Sequence, residues 1–164
     1  MKLSVLSLFL CAVAGFGGQH QAPRVFAEGA IVAVQKQSRH PERLEGKGIG
    51  VYVEGWVVRV GRWEGEVKTQ PKYIRVDYLL YQRGLADEEI NQPRLRFQLR
   101  EPRPDEARAC EGRVLTSWRK PYTTRPVQEA DYERTQVGLS EVLPPLKSLP
   151  CFIVEKPPTV VVGR

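Results

Sequence analysis

Arg94, Arg96 and Arg100 alternate with Leu95, Phe97 and Leu99. In an extended strand the three arginines share one face, with about 6.6 Å between consecutive positions on it. Guanidinium groups in that array suit phosphate, sulfate or carboxylate oxygens. Residues 72–82 form a second alternating run, in which Tyr73, Arg75 and Tyr81 fall on one parity. Paired with the first run as a hairpin, it would set aromatic planes among the guanidiniums, a surface able to stack bases or sugars. Trp63, within Gly61-Arg62-Trp63-Glu64-Gly65, adds a loop aromatic over one edge. The same residues also read as an ordinary solvated sheet face, with Asp77 and Glu101 as ion-pair partners of little net value.

Other chemistry fares worse. Two histidines, His20 and His40, and two cysteines expected to be tied to each other, Cys110 and Cys151, cannot assemble a Cys/His zinc site at known spacings. Asp87-Glu88-Glu89 lacks the alternating acids of a calcium loop. His40 stands between Arg39 and Pro41 in a charged loop, which reads as solvated rather than as a catalytic base. Gly138-Leu139-Ser140-Glu141-Val142 lacks the closing glycine of a nucleophile elbow. Gly46-Lys47-Gly48-Ile49-Gly50 misses the third glycine of a dinucleotide fingerprint, because Val51 stands there and a strand follows. The carboxylate pairs Glu64/Glu66, Asp105/Glu106 and Asp131/Glu133 would serve a hydrolase only if two faced each other across a cleft. No metal ligand, cofactor or catalytic residue is assigned on these grounds.

The N-terminus speaks to compartment. Met1-Lys2 precedes an apolar run to Phe16 that contains Ala12-Val13-Ala14, the small-x-small pattern of signal cleavage. Residues 1–14 are therefore expected to be a signal peptide, 15–28 a flexible mature N-terminus, 29–156 the folded domain and 157–164 a tail. The apolar run is too short to cross a hydrocarbon core of about 30 Å. Leu10 ahead of Cys11 argues against a lipoprotein. Export, to a periplasm or beyond the cell, leaves Cys110 and Cys151 as a pair in oxidising surroundings, and a disulfide is expected. Its loop would contribute about 4 kcal/mol through chain entropy.

Those groups need a scaffold, and composition bounds it. The chain has 164 residues, 41% of them hydrophobic, so it can bury one core and is not disordered. Thirteen prolines and fourteen glycines argue for many turns and against long helices. Lys+Arg exceed Asp+Glu by 25 to 19, a formal charge of +6, but the acids are interspersed and no polybasic tail results. Period-2 alternation predicts strands at 72–82 and 94–100, with shorter ones at 31–34, 113–118 and 151–154. The apolar parity of residues 49–60 switches at Gly55, which predicts a bulge or bend in a long first barrel strand. Helical signal is confined to residues 84–90 and 140–143, while 120–136 reads as a long loop and 159–164 as an edge strand or loose end.

The fold class that follows is all-β: a small antiparallel barrel or sandwich of five to seven strands, with an OB-like (oligonucleotide/oligosaccharide-binding) barrel first. Such barrels carry a helix between their third and fourth strands, and none is legible between Arg100 and Arg113. The expected role is that of an exported, non-enzymatic domain acting through protein contacts or as an envelope or extracellular scaffold. The alternatives are a binder of an anionic polymer (acidic glycan, single-stranded nucleic acid or lipid head groups) through the Arg/Tyr face, and a carboxylate-pair hydrolase.

Overall fold

The computed structural model describes residues 24–35, 52–80, 85–104, 113–117 and 123–163, with the side chains of 52–54, 78–80, 113–117 and 123–124 excepted. The expected signal segment, most of the expected leader, Tyr81, Cys110 and both histidines lie outside the described residues.

Five strands close into a barrel. They are β1 (Val25–Gln35), β2 (Tyr52–Glu64), β3 (Tyr73–Leu80), β4 (Leu95–Arg100) and, after a long connection, β8 (Cys151–Val154). Each of β1, β2 and β3 pairs antiparallel with the next; β8 lies parallel to β3 and antiparallel to β4, and β4 returns antiparallel to β1. The hairpin expected between the 72–82 and 94–100 runs is not formed, because β8 inserts between them. Single-residue alternation fills the interior: Leu95, Phe97 and Leu99 of β4, Ile74 and Val76 of β3 and Trp56 and Val58 of β2 are all buried in one cluster. Trp56 meets Phe97 at 6.4 Å between ring centroids, within the range favoured by aromatic pairs.

The first barrel strand is β1, eleven residues long, where the sequence pattern marks only 31–34. It begins at Val25, inside the expected flexible leader. Its first half pairs with β4 and its second half with β7 (Tyr132–Arg134), so β1 changes neighbours midway. Gly29 sits at the crowded point; a Cβ there would lie 2.1 Å from the Arg59 carbonyl oxygen. The irregularities predicted at Gly55 occur elsewhere. The β2–β3 register runs straight through Gly55, whereas the β1–β2 register skips Gly61 on one strand and Val32 on the other. Gly55 answers a close approach instead: a Cβ would stand 2.4 Å from Gln35 Oε1 and 3.0 Å from the Tyr132 hydroxyl.

A short helix forms within residues 84–90, where the sequence carries a helical signal. α1 (Asp87–Ile90) lies between the third and fourth barrel strands, and its Ile90 is buried in the barrel cluster. The Glu89 side chain accepts from the Ala86 amide at 2.7 Å, which satisfies a donor at the start of this short turn.

Between β4 and β8 runs the long connection. β5 (Arg113–Ser117) and β6 (Thr123–Pro126) pair only with each other. Residues 127–149, the strap, then cross the outside of the barrel. Leu146 is 3% exposed and packs with Leu143, Leu149, Val127 and Tyr132 against Val32, Ala33, Val57 and Tyr73. Thr135 locks the strap to the bulge in β1: its amide donates to Val32 O at 3.1 Å and its hydroxyl to Ile31 O at 2.6 Å. No helix forms at 140–143; a single 3-10 turn, Leu146–Ser148, follows the two prolines instead of preceding them. Finally β9 (Thr159–Val160) pairs with β4 beyond the end of β8. Among the described residues no helix is long and apolar enough to cross a membrane.

Candidate functional site

The arginine face exists, and its charges are answered. Glu28 of β1 lies opposite Arg96 in the β1–β4 register and opposite Arg62 in the β1–β2 register, so acids from two strands reach β4. Arg96 Nη1 lies 3.2 Å from Glu28 Oε1, and its Nη2 lies 2.6 Å from Glu64 Oε2. Arg94 Nη2 shares Glu28 at 3.1 Å, and Arg62 shares Glu64 at 3.3 Å. The Arg96 guanidinium also rests 4.4 Å from the centroid of the Phe26 ring. Arg100 pairs with Glu155 at 2.8 Å, and Arg24 approaches the same carboxylate at 3.5 Å. The hydrogen bond from Arg96 holds the Glu64 carboxyl below its ordinary range, and the same bond raises Arg96.

Sequence reasoning found the three arginines and missed Glu28, Glu64 and Glu155 as their partners. Those acids stand 32 to 68 residues away along the chain, or 55 in the case of Glu155, and only barrel closure brings them over. Asp77 does pair with one of the expected arginines, whereas Glu101 meets its arginine through the backbone. Asp77 lies by Arg75, and Glu101 offers Arg100 its backbone carbonyl at 3.3 Å.

Tyr73, Arg75 and Trp63 are placed apart from that ladder. Trp63 ends β2 and is packed inward, its ring 5.7 Å from Phe152 and its Nε1 donating to Pro71 O at 3.2 Å. Arg75 is 4% exposed beneath the strap. Its Nη2 lies 3.8 Å from Asp77 Oδ2 and 3.7 Å from Cys151 Sγ, while Cys151 Sγ lies 3.8 Å from Asp77 Oδ2. Burial raises the Asp77 carboxyl to about 6 against the pull of Arg75. Burial likewise pushes the Tyr132 hydroxyl upward. Tyr73 hydrogen-bonds Glu141 of the strap at 2.6 Å, and Arg59 pairs with the same side chain.

Of the other carboxylate pairs named from the sequence, Asp105/Glu106 lies outside the described residues. Asp131 binds Arg125 through both oxygens and accepts from the Gln128 amide at 2.7 Å, which lowers its carboxyl. Glu66 is exposed. A shallow depression lined by Arg24, Gln98, Leu99, Arg100, Glu155 and Lys156 holds a single carboxylate. Among the described residues no three His, Cys, Asp or Glu side chains cluster as metal ligands would. Among the described residues the large apolar side chains left exposed are Leu139 and Val142 on the strap, at 67% and 89%, and Val160 and Val162 at and beyond β9. No family model matches the chain, and no curated protein or solved structure resembles it at a significant level.

Proposed function

We propose that this chain is an exported, non-enzymatic β-barrel domain that acts through protein contacts, as an adaptor or scaffold. The observation that carries the reading is the neutralised ladder: Arg94 and Arg96 are matched by carboxylates of β1 and β2, and Arg100 by Glu155 just past β8. A face built to hold a polyanion needs cations that are not already shared with acids. The exposed Leu139 and Val142 offer a partner apolar area instead. The β2–β3 outside is not open ground either, since the strap covers Val57 and Tyr73.

The finer architecture belongs to the same proposal. An OB-like barrel is supported by the five-strand circuit, the single parallel contact of β3 with β8 and α1 placed between the third and fourth barrel strands. The pairing of Cys110 with Cys151 rests on export and on the even count of the mature chain. Mature protein taken from the exporting cell should begin at Gly15 by mass spectrometry and show no reactive thiol before reduction. An uncleaved N-terminus would remove the export reading.

The decisive experiment combines two arms. In the first, heparin and single-stranded DNA are titrated with salt against wild type and against Arg94→Ser/Arg96→Ser/Arg100→Ser. In the second, a photo-crosslinking residue replaces Val142, with Glu88 as the exposed control. A specific crosslinked protein at position 142 only, with no ligand binding lost in the triple variant, supports the reading. Steeply salt-dependent binding that vanishes in the triple variant would install the anionic-polymer alternative.

A further inference from the structure

The outer face of the barrel carries a cross-strand pair, Arg59 of β2 opposite Tyr73 of β3, whose polar groups converge on one carboxylate. The Tyr73 hydroxyl donates to Glu141 Oε2 at 2.6 Å, and Arg59 Nη1 pairs with Oε1. Each oxygen of the carboxylate is thus held by a different strand. Lys72 adds a second cation, its ammonium 5.4 Å from the centre of the Tyr73 ring. Two donors held on rigid strands and aimed at the two oxygens of one anion are the parts of an oxyanion site.

The group filling it comes from elsewhere in the fold. Glu141 belongs to the strap, past β7, where the chain has no strand partner; its amide bonds Gly138 O at 3.1 Å. The strap itself is anchored by Leu146 and Thr135, so the Glu141 side chain can leave while its backbone stays. The Arg59 side chain is 35% exposed and that of Glu141 15%, so solvent reaches the pair. A partly exposed ion pair is a weak latch.

We propose that Arg59 and Tyr73, with Lys72 beside them, form a binding site for a phosphate or sulfate group that the chain keeps filled with its own Glu141. The incoming anion takes the place of the carboxylate, which swings to solvent. This site is separate from the Arg94–Arg100 ladder and does not depend on the protein-contact reading.

Inorganic sulfate, titrated by calorimetry against the full chain, is the direct probe. Glu141→Ala is expected to bind sulfate at least tenfold more tightly than wild type, and adding Arg59→Ser should return the affinity to the wild-type value. A heparin fragment distinguishes the source of the group. A gain for heparin at least as large as that for sulfate assigns the site to a polymer-borne sulfate, and a gain for sulfate alone assigns it to a free anion. Equal sulfate and heparin affinities in wild type and Glu141→Ala would overturn the proposal, as would a gain that survives Arg59→Ser. If circular dichroism shows Glu141→Ala unfolded, Glu141→Gln, which keeps the side chain's length and loses its charge, is read by the same criteria.

Discussion

Asp77 shows how far a residue's surroundings can depart from what its neighbours in sequence suggest. It sits between Val76 and Tyr78 in a strand whose alternation marks it as outward, and outward was read as solvated. The strap covers that side of the barrel, so the Asp77 side chain is 15% exposed and its carboxyl titrates near 6. A folded value above the ordinary 3.8 means that the native state binds the proton more tightly than the unfolded chain. The contribution of this group to stability is therefore complete below pH 3.8, falls as pH rises to about 6 and is flat above. At about 1.4 kcal/mol per pH unit the gap amounts to about 3 kcal/mol. Asp77→Asn, followed by urea denaturation beside wild type at pH 4 and pH 7, should gain about that much on wild type across the interval. Parallel profiles would show that burial does not govern this carboxyl. The arginines teach the same lesson: their spacing was readable, while the carboxylates that answer them arrive from β1, from the end of β2 and from the segment after β8.

Elements were legible wherever one face is apolar and the other polar. Leu95, Phe97 and Leu99 announce β4, and Ile74 and Val76 announce β3, because a half-buried strand repeats every two residues. β1 was underread because both its faces are covered: Val32 and Ala33 pack under the strap while Ile31 faces the interior, so no alternation survives. Bulges at Gly61 and Val32 escaped for a related reason, since an extra residue is defined by the strand opposite. The strap was hardest, because Leu143, Leu146 and Leu149 recur every third residue, the period of neither a strand nor an α-helix, among Pro144, Pro145 and Pro150, and Val127 stands apart from them. If it is part of the folded unit, Leu146→Ala should cost about 2–5 kcal/mol by the loss of a fully buried side chain. The test is the urea midpoint with an unchanged slope; a loss below about 0.5 kcal/mol, the range of surface changes, would make the strap an appendage.

For the whole molecule, closure matters more than any single pair. β1 has β2 on one side from Phe26 to Val34 and, on the other, β4 as far as Gly29 and β7 from Ala33. β9 is two residues long and pairs with β4 through Leu95 and Arg96 alone. Amide exchange followed by mass spectrometry should accordingly find residues 26–29 among the slowest, opening only with global unfolding, and 159–162 orders of magnitude faster. Equal protection at the two places would mean that the barrel opens between β1 and β4.

The one parallel contact in the barrel also sets an order of events. Arg75 to Tyr78 must find Cys151 to Val154, and β4 must take β8 on its other side, before the circuit is complete. More than seventy residues separate the two halves of that contact. A chain emerging from the ribosome therefore carries β3 and β4 with raw edges until Cys151–Val154, close to its end, arrives. Long-range pairing of this kind is slow, and uncovered strand edges are where chains stick to one another. Such a chain profits from a holding chaperone during synthesis, and any truncation upstream of Cys151 should yield insoluble material rather than a smaller folded domain.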